Sequence, residues 1–483
     1  MSLFSPSSGE VLGGINGDRL TASVSVAQRC GEPTVVVRAG RAGQAERVQS
    51  MWLTNARVFD ATGAAARDGR AILIEDGLIA AEDQAGAVPD GVDVIDLAGR
   101  TVLPGLIDAH AHVFATPPTP DDGAEPLWPG LTAHFVATGL REALRMGFTT
   151  LRDVGSYGDE VITARQAMRY GAFPGPRLLT CGRIVSATAP GGRFFDGMYR
   201  EADGPDEVRK AVREQVRRGA DFVKVMSTGA RSVELEDPHP AQLTGPEIAA
   251  LVDEAHRLGY RVAAHAEGLA GTELAIRLGA DTIEHGMYLN QRPDLLDEMA
   301  AAGQVLVPTL SCYYGVASGQ WTAPLVRLAR HNLAEASRTL LAARAAGVPI
   351  ALGHDWQPFS DAAVELIRLV EHGMTTHEAL LAATATGARA LGLDDRLGTI
   401  QSGKVADLTV VDGDPLTDPV LLRDRAQIWL VLQRGAPVAG AVFDNSAAIA
   451  ANARTAADSR SVTHTSALSN AGRPRSGTTE TPG

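Results

Sequence analysis

Two histidines separated by one residue, His110 and His112, lie at the end of an apolar segment, GLIDAHAHV, whose pattern predicts a β-strand. Because alternate residues of a strand share one face, both imidazoles can point to the same side and bind one metal ion. Paired histidines on a strand are more often surface or structural residues. The pair therefore indicates a metal site only together with further ligands.

Short apolar segments alternate with helix-like segments from residue 104 to residue 395, a pattern typical of repeated β-α units around a parallel sheet. Eight strands are predicted, namely GLIDAHAHV, TTLRDVG, PRLLTCG, ADFVKVM, RVAAHAE, ADTIEHG, QVLVPTL and PIALGHD. Eight such units close a (β/α)8 TIM barrel of the α/β class. Its active site lies at the carboxyl ends of the strands.

Residues with ligand side chains end five of the eight predicted strands, so their side chains should converge on one mouth of the barrel. Imidazole and carboxylate groups suit zinc or a neighbouring divalent metal. The predicted metal ligands are His110, His112, Lys224, His265, His285 and Asp355.

Lys224 shares a strand face with Phe222 and Met226, which places a cation inside an apolar barrel. A bare buried ammonium is costly. One interpretation is that the lysine extends out of the mouth or pairs with Asp355 or Glu267. The other is that CO2 converts its amine to a carbamate, which can bridge two cations.

Residues 51–103 contain short strands and tight turns, with a strong hairpin signal at Asp76-Gly77, and similar strands return in residues 396–445. We expect these two flanks to form one small, discontinuous β-sandwich domain. Residues 1–50 have little periodicity, so we expect a disordered extension and a natural start at Met51. The small, polar residues 446–483 predict a disordered tail.

Composition restricts the partners of the chain. A formal net charge of −13 without a long basic run argues against nucleic acid. No apolar segment reaches the ~20 residues needed to span a bilayer, and the N-terminus has no secretory pattern. Three scattered cysteines, Cys30, Cys181 and Cys312, fit the cytoplasm. We expect a small-molecule substrate, and a homo-oligomer because barrel hydrolases of this size often assemble.

These motifs resemble the amidohydrolase superfamily, in the branch of imidazolonepropionase-like proteins and metal-dependent Xaa-Pro dipeptidases. The resemblance spans roughly residues 52–445. The chain is also similar in broad outline to phenylurea and thiocarbamate hydrolases. The resemblance is carried by LPGLIDAHAHV, TTLRDVG, DFVKVMSTG, AHAEG, IEHG, the GHD of the eighth strand and LGTIQSGKVADLTVVDGDPL.

The resemblance implies two divalent ions, zinc or else cobalt or manganese, held by His110, His112 and Asp355 for one ion and by His265 and His285 for the other. It further implies that carboxylated Lys224 and a hydroxide bridge the ions. Asp355 would then transfer the proton from the attacking hydroxide to the leaving nitrogen. A one-metal variant, in which His285 orients the water, stays open.

The chain departs from the branch near its substrate. Gly191-Gly192-Arg193 stands where many members have Gly-Gly-His, and His354 stands where they have Thr or Ser before the last aspartate. Arg193 can hold a substrate carboxylate through a bidentate fork, or it is a surface arginine. His354 should point away from Asp355, so we do not predict it as a ligand.

Aromatic residues are concentrated in the loops that should surround the mouth, which indicates an apolar or aryl-bearing substrate. The predicted substrate-binding residues are Arg193, Phe194, Tyr199, Tyr288, Tyr313, Trp356 and Phe359. We predict hydrolysis of the C–N bond of a small apolar or aryl amide, urea or carbamate. The alternatives are an Xaa-Pro dipeptidase or N-acyl amino acid hydrolase and, after these, a cyclic amide hydrolase, a deaminase or a non-catalytic barrel scaffold.

Overall fold

The structure is a computed structural model that describes residues 20–29, 32–41, 50–84, 93–114, 130–231, 233, 235–318, 322–355 and 361–443. Its strands are β1 (Leu20–Arg29), β2 (Glu32–Arg41), β3 (Met51–Val58), β4 (Arg67–Glu75), β5 (Leu78–Gln84), β6 (Asp93–Asp96), β7 (Thr101–Pro104), β8 (Leu106–Ala111), β9 (Phe148–Asp153), β10 (Arg177–Thr180), β11 (Ile184–Ser186), β12 (Tyr199–Glu201), β13 (Val223–Met226), β14 (Val262–Ala266), β15 (Thr282–His285), β16 (Val305–Val307), β17 (Leu408–Val411), β18 (Ile428–Gln433) and β19 (Ala436–Ala439).

The α-helices are α1 (Leu131–Arg145), α2 (Glu160–Arg169), α3 (Pro190–Phe194), α4 (Pro205–Arg218), α5 (Gly245–Arg257), α6 (Leu269–Arg277), α7 (Pro293–Ala302), α8 (Leu310–Ala317), α9 (Ala323–Ala345), α10 (Ala363–Glu371), α11 (Thr376–Ala382) and α12 (Ala385–Leu391). Short 3-10 helices span Leu289–Gln291 and Pro419–Arg423. Within the described ranges, every helix is too short or too polar to cross a membrane.

The middle section consists of parallel strands followed by helices, as predicted. Strands β8, β9 and β10 form one parallel sheet, and β11, β13, β14, β15 and β16 follow one another in a second sheet, with β12 beside β11. Helices α1 and α2 follow β8 and β9, and α5, α6 and α7 follow β13, β14 and β15. This arrangement confirms the α/β class and brings the carboxyl ends of the strands to one side.

The last predicted strand, PIALGHD, contacts both sheets through a few backbone hydrogen bonds and not through a continuous ladder. On one side the Ala351 N–H donates to the Leu306 carbonyl at 2.9 Å, and on the other the Ala109 N–H donates to the Leu352 carbonyl at 2.8 Å. The segment therefore lies between β16 and β8, at the eighth position of the predicted ring. The strand ladders themselves belong to two sheets, so a closed barrel remains a prediction.

The third predicted strand, PRLLTCG, is shorter than expected, because β10 ends at Thr180. Gly182, at φ +68°, turns the chain in a left-handed conformation that favours glycine. An unpredicted strand, β11, follows and pairs with β13 through Val185 and Val225. The neighbour of the fourth predicted strand is therefore β11.

Helix α5 illustrates why the predicted helical segments fold as they do. Thr244 and Glu247 form a capping box at its start, in which the side chain of each residue accepts a hydrogen bond from the backbone N–H of the other. Apolar residues recur at helical spacing on one face, and Ile248, Leu251 and Ala255 are buried in the core beside the parallel sheet.

The two flanks of the barrel form one hydrogen-bonded sheet in the order β19-β18-β17-β7-β3-β4-β5, with β6 also paired to β3. The flanks meet where β7 and β17 pair antiparallel, from Thr101 opposite Val411 to Pro104 opposite Leu408. The predicted hairpin is confirmed, since Asp76 and Gly77 have φ values of +50° and +79° between β4 and β5. The composite domain is thus described as a single mixed sheet, and its second layer as a sandwich is not confirmed.

The segment predicted as a disordered extension contains two paired strands. The backbones of β1 and β2 pair antiparallel, from Leu20 opposite Arg41 to Arg29 opposite Glu32. The alternating Ser and Val residues of this segment, and its Val-Val-Val run, are strand patterns that the compositional prediction did not use. The rest of the predicted extension and the predicted tail, residues 446–483, lie outside the described residues.

Candidate metal centre

The six residues predicted as metal ligands lie around one cavity of about 370 Å³. Strands β8, β13, β14 and β15 carry four of them, His112 directly follows β8, and Asp355 is the last residue of the eighth predicted segment. The predicted ligands that line this cavity are His110, His112, Lys224, His265, His285 and Asp355. The structure therefore brings together every residue of the predicted cluster.

Asp355 is the point on which the first group of ligands converges. Its Oδ1 lies 3.2 Å from His110 Nε2 and 3.1 Å from His112 Nε2, and its Oδ2 lies 3.9 Å from His285 Nδ1. One ligand atom from each of His110, His285 and Asp355 can be chosen so that all lie within 4.8 Å of one another. Although burial opposes it, the charge of His110 and the hydrogen bonds from His110 and His112 hold the pKa of Asp355 well below its usual range.

Hydrogen-bond acceptors on the far side of three imidazoles determine which nitrogen faces the centre. His110 Nδ1 lies 2.6 Å from a Glu284 carboxylate oxygen, and His112 Nδ1 lies 2.6 Å from the Gly155 carbonyl. His265 Nε2 lies 3.1 Å from the Gly229 carbonyl. We assign the ring proton to each of these nitrogens, since their partners only accept hydrogen bonds. The opposite nitrogens face the centre, and those of His110 and His112 face Asp355, where a metal ion would take the place of the proton shared with that carboxylate.

His265 and His285 face each other across the second half of the cluster. His265 Nδ1 lies 2.9 Å from His285 Nε2, and His285 Nδ1 lies 2.7 Å from the Thr309 hydroxyl. Burial lowers the pKa of His265 to about 3 and also lowers the pKa of His285 well below its usual value. Both imidazoles are therefore neutral at pH 7, the form that binds a metal ion.

Lys224 is buried at the same wall, and its Nζ has no hydrogen-bond partner among the described residues. Burial lowers the pKa of this amine, while the charges of Glu284 and Asp355 oppose the shift. The unpartnered amine, the neighbouring imidazoles and the carboxylate are all groups that can donate an electron pair to a metal ion. The cluster therefore fits one or two divalent cations, with the amine free for a covalent change.

A second group of buried charged residues lies behind the predicted ligands, and it was not predicted from the sequence. Arg152 donates to Glu284 at 2.8 Å and to the Thr282 hydroxyl at 3.1 Å, and Glu284 has no exposed surface. Burial would raise the pKa of Glu284, but Arg152 and Lys224 hold it far below its usual value. The signal in the sequence is a charged residue, Arg152 or Glu284, inside a strand whose residues are all buried.

His354 points away from the cluster, as predicted. Its Nδ1 lies 2.5 Å from Asp108 Oδ2, and both residues are buried. Asp108 Oδ1 also accepts the backbone N–H of His110 at 3.0 Å. The Asp108–His354 contact therefore links the eighth segment to β8 directly behind the ligands.

The predicted substrate-binding residues have mixed positions. Phe194, Tyr199 and Tyr313 line the cavity. Arg193, which is exposed, and Tyr288, which is half-buried, are not part of its lining. The Tyr288 hydroxyl instead donates to Asn332 at 3.2 Å. Trp356 and Phe359 lie outside the described residues. Cavity-lining residues that were not predicted as substrate contacts include Phe114, Tyr157, Arg231, Glu267 and Cys312.

Comparison with known proteins shows which family the chain belongs to. The amidohydrolase family model matches residues 101–453. Ochratoxinase of Aspergillus niger is 34% identical over 372 residues, which cover 69% of this chain and 75% of that protein. Its crystal structure is 26% identical, with a TM-score of 0.73, and covers 82% of this chain and 96% of that chain.

Two further proteins have comparable similarity. Imidazolonepropionase of Symbiobacterium thermophilum is 27% identical over 431 residues, covering 79% of this chain and 89% of that protein. A crystal structure of a Xaa-Pro dipeptidase with bound methionine is 30% identical, with a TM-score of 0.73, and covers 81% of this chain and 100% of that chain. The chain therefore belongs to the amidohydrolase family and is a hydrolase acting on carbon–nitrogen bonds.

Proposed function

We propose that this chain hydrolyses the C–N bond of small apolar or aryl-bearing amides, ureas or carbamates in a metal-dependent reaction. One observation carries the proposal, namely that the Nε2 atoms of His110 and His112 converge on Asp355 beside the unpartnered amine of Lys224. Such a donor set calls for cations. The aromatic lining of the same cavity suits a carbonyl compound with an apolar group.

The ligands divide into two groups, His110, His112 and Asp355 for one ion and His265 and His285 for the other. Lys224 lies among them, and we propose that it reacts with CO2 to give a carbamate and a released proton. Only an uncharged amine adds CO2, so the burial that lowers its pKa favours this reaction. We propose zinc, although cobalt and manganese accept nearly the same ligands. Two divalent ions held by these residues would make hydroxide available near neutral pH and would polarise the substrate carbonyl.

Asp355 is the residue that we assign to proton transfer. Because its pKa is held well below the usual range, its carboxylate is ionised and can accept the proton released as water attacks the carbonyl. The protonated acid can then donate to the leaving nitrogen. His285, whose Nδ1 is held by the Thr309 hydroxyl, is the second catalytic candidate and orients the water if one ion alone is bound.

A second candidate function is hydrolysis of Xaa-Pro dipeptides or N-acyl amino acids. It is supported by the similarity to the Xaa-Pro dipeptidase structure over 81% of this chain. Arg193, the predicted contact for a substrate carboxylate, is exposed and outside the cavity lining. This candidate therefore needs another cation at the cavity.

The number of bound ions tests the assignment of the ligands. We expect two zinc equivalents per chain after metal removal and reloading, and fewer in Lys224→Ala, because the bridging group is lost. Lys210→Ala, at an exposed position on α4, is the matched control. One equivalent that does not change in Lys224→Ala would reject the bridge.

Hydrolysis itself is tested with aryl ureas, anilides, N-acyl amino acids, Xaa-Pro dipeptides, cyclic imides and aminated heterocycles. We expect metal-dependent cleavage of an acyclic amide or urea, and its loss in Asp355→Asn. Activity on ring amides alone would favour the cyclic amide hydrolase, and release of ammonia from heterocycles would favour the deaminase. A fully metal-loaded protein that cleaves none of these compounds would support the scaffold instead.

A further inference from the structure

A buried arginine, Arg231, lines the cavity of the metal centre and is only 8% exposed. Its Nε and Nη1 atoms have no hydrogen-bond partner among the described residues. Buried guanidinium groups are normally hydrogen-bonded, because an unsatisfied buried donor costs the free energy of its desolvation. An exception at the wall of a catalytic cavity indicates that a ligand completes these bonds.

Glu267 fixes Arg231 close to the metal ligands without using this donor capacity. One Glu267 oxygen accepts the Arg231 backbone N–H at 2.9 Å, and the other lies 3.3 Å from Nη1 without the geometry of a hydrogen bond. Glu267 Oε2 also lies 3.8 Å from His265 Nε2. A single carboxylate therefore separates the guanidinium from a metal ligand.

Tyr313 provides a second donor at the same place. Its ring lies under the guanidinium, with 5.1 Å between the guanidinium carbon and the ring centroid. The Tyr313 hydroxyl is buried and interacts electrostatically with the Arg231 side chain, but it has no partner with full hydrogen-bond geometry among the described residues. Burial raises the pKa of this phenol well above its usual value, so the group is a neutral O–H donor. A guanidinium and a phenol together complement an acceptor with two oxygens and a negative charge.

We infer that Arg231, with Tyr313, forms a subsite for a substrate carboxylate, so that the preferred substrates are amides with an acidic group next to the scissile bond. The inference rests on the proposed amide hydrolysis and selects N-acyl amino acids over neutral amides. Arg231 lines the same cavity as the six predicted ligands, so a carboxylate bound by it would belong to the molecule whose amide meets the metal centre. Arg231 thus takes the role of carboxylate contact that the sequence prediction gave to Arg193.

Two substrates that differ only in the carboxylate test this inference. N-benzoylphenylalanine and N-benzoylphenethylamine have the same aryl groups and the same scissile bond. We expect the zinc-loaded protein to have a kcat/KM about 10- to 100-fold higher for the acid, the range of a charged hydrogen bond. Arg231→Gln should remove that preference, mainly through KM. Arg217→Gln, at an exposed arginine of α4, is the control.

Glu267 allows a structural role of Arg231 to be distinguished from a binding role. If Arg231 only neutralises Glu267, the double variant Arg231→Gln/Glu267→Gln should recover the preference for the acid. We expect it to remain without that preference, because the guanidinium is absent. Recovery in the double variant, an equal loss on both substrates in Arg231→Gln, or loss of the preference in Arg193→Gln would each overturn the inference.

Binding of the two leaving amines separates this inference from the proposed function. Calorimetry with the zinc-loaded protein should give phenylalanine an affinity at least about tenfold higher than phenethylamine, and Arg231→Gln should abolish the difference. If neither amide is hydrolysed but phenylalanine binding depends on Arg231, the subsite stands and the proposed function fails. If hydrolysis occurs but both amines bind equally, the subsite is wrong and the proposed function stands.

Discussion

Replacing Glu365 should change how the stability of the protein depends on pH. Glu365 lies on α10 with no exposed surface, and its carboxylate accepts the backbone N–H groups of Leu310 and Ser311 at 2.8 and 2.7 Å. These residues begin α8, whose unpaired N–H groups favour an anion. Thr309, the preceding residue, binds His285. Burial nevertheless raises the pKa of Glu365 to about 7.

The magnitude follows from the difference between this pKa of about 7 and the ordinary value of 4.5. Between these pH values the folded protein keeps a proton on Glu365 that the unfolded chain has released. The stability from this proton is therefore complete below pH 4.5 and is lost as the pH rises through 7. At about 1.4 kcal/mol per pH unit, the free energy of unfolding loses about 3 kcal/mol.

The comparison of wild type with Glu365→Gln measures this loss, because glutamine does not titrate. We expect the stability of wild type relative to the variant to fall by about 3 kcal/mol from pH 4.5 to 8. Unfolding is measured at each pH with equal metal content, and Glu371→Gln, at an exposed carboxylate of the same helix, is the control. Stability curves that remain parallel across this range would refute the reasoning.

Four further predictions concern the centre. Asp355→Asn should lower kcat by about 10²- to 10⁴-fold in steady-state assays, and a fully active variant would exclude the assigned proton transfer. Glu284→Gln should weaken metal affinity about 10- to 100-fold in chelator competition, because His110 loses its anionic acceptor, so an unchanged affinity would count against that support. Thr309→Val should weaken it about tenfold by releasing His285, with an unchanged value contradicting the contact. Chelation should abolish hydrolysis and zinc should restore it, and activity that survives complete metal removal would contradict metal dependence.

The convergence of the six predicted ligands on one cavity could be predicted because the sequence shows both their residue types and their places near strand ends. Each lies at or directly beyond the end of an apolar segment, and parallel strands bring such ends to one side. His110 and His112 illustrate this, since the two-residue period of a strand aims both at Asp355. The association of the two flanks was likewise indicated by strand patterns in both, although the pairing of β7 with β17 was not itself predicted.

The contacts behind the ligands could not be predicted in the same way. Glu284 meets His110 across 174 residues of sequence, and it meets Arg152 across 132. An apolar strand pattern indicates that such a residue is buried, but the partner depends on which strands become neighbours. The unpredicted β11 is an example. It follows the left-handed Gly182 and becomes the neighbour of β13 in the sheet.

The substrate contacts were the least predictable part of the site. Arg193 and Arg231 both follow predicted strands and are equally suited by chemistry to bind a carboxylate. Arg193 lies on the exposed side of a short helix, whereas Arg231 is drawn into the cavity by its backbone bond to Glu267. Only the path of each loop distinguishes them, and that path has no periodic signal in the sequence.

The backbone of the ligands themselves carries a feature that no strand pattern indicates. His285, Thr309 and Asp355 have φ values of +68°, +51° and +55°, in the left-handed region that costs a non-glycine residue about 1–2 kcal/mol. Glycine would relieve that cost but would remove two ligands and the hydroxyl that holds one of them. The Asp355 N–H is held by the His110 carbonyl at 2.8 Å, so the disfavoured conformation is fixed by a neighbouring ligand residue. The strain lies where the strands end at the metal centre, which indicates that the site, and not the sheet, determines the backbone at these positions.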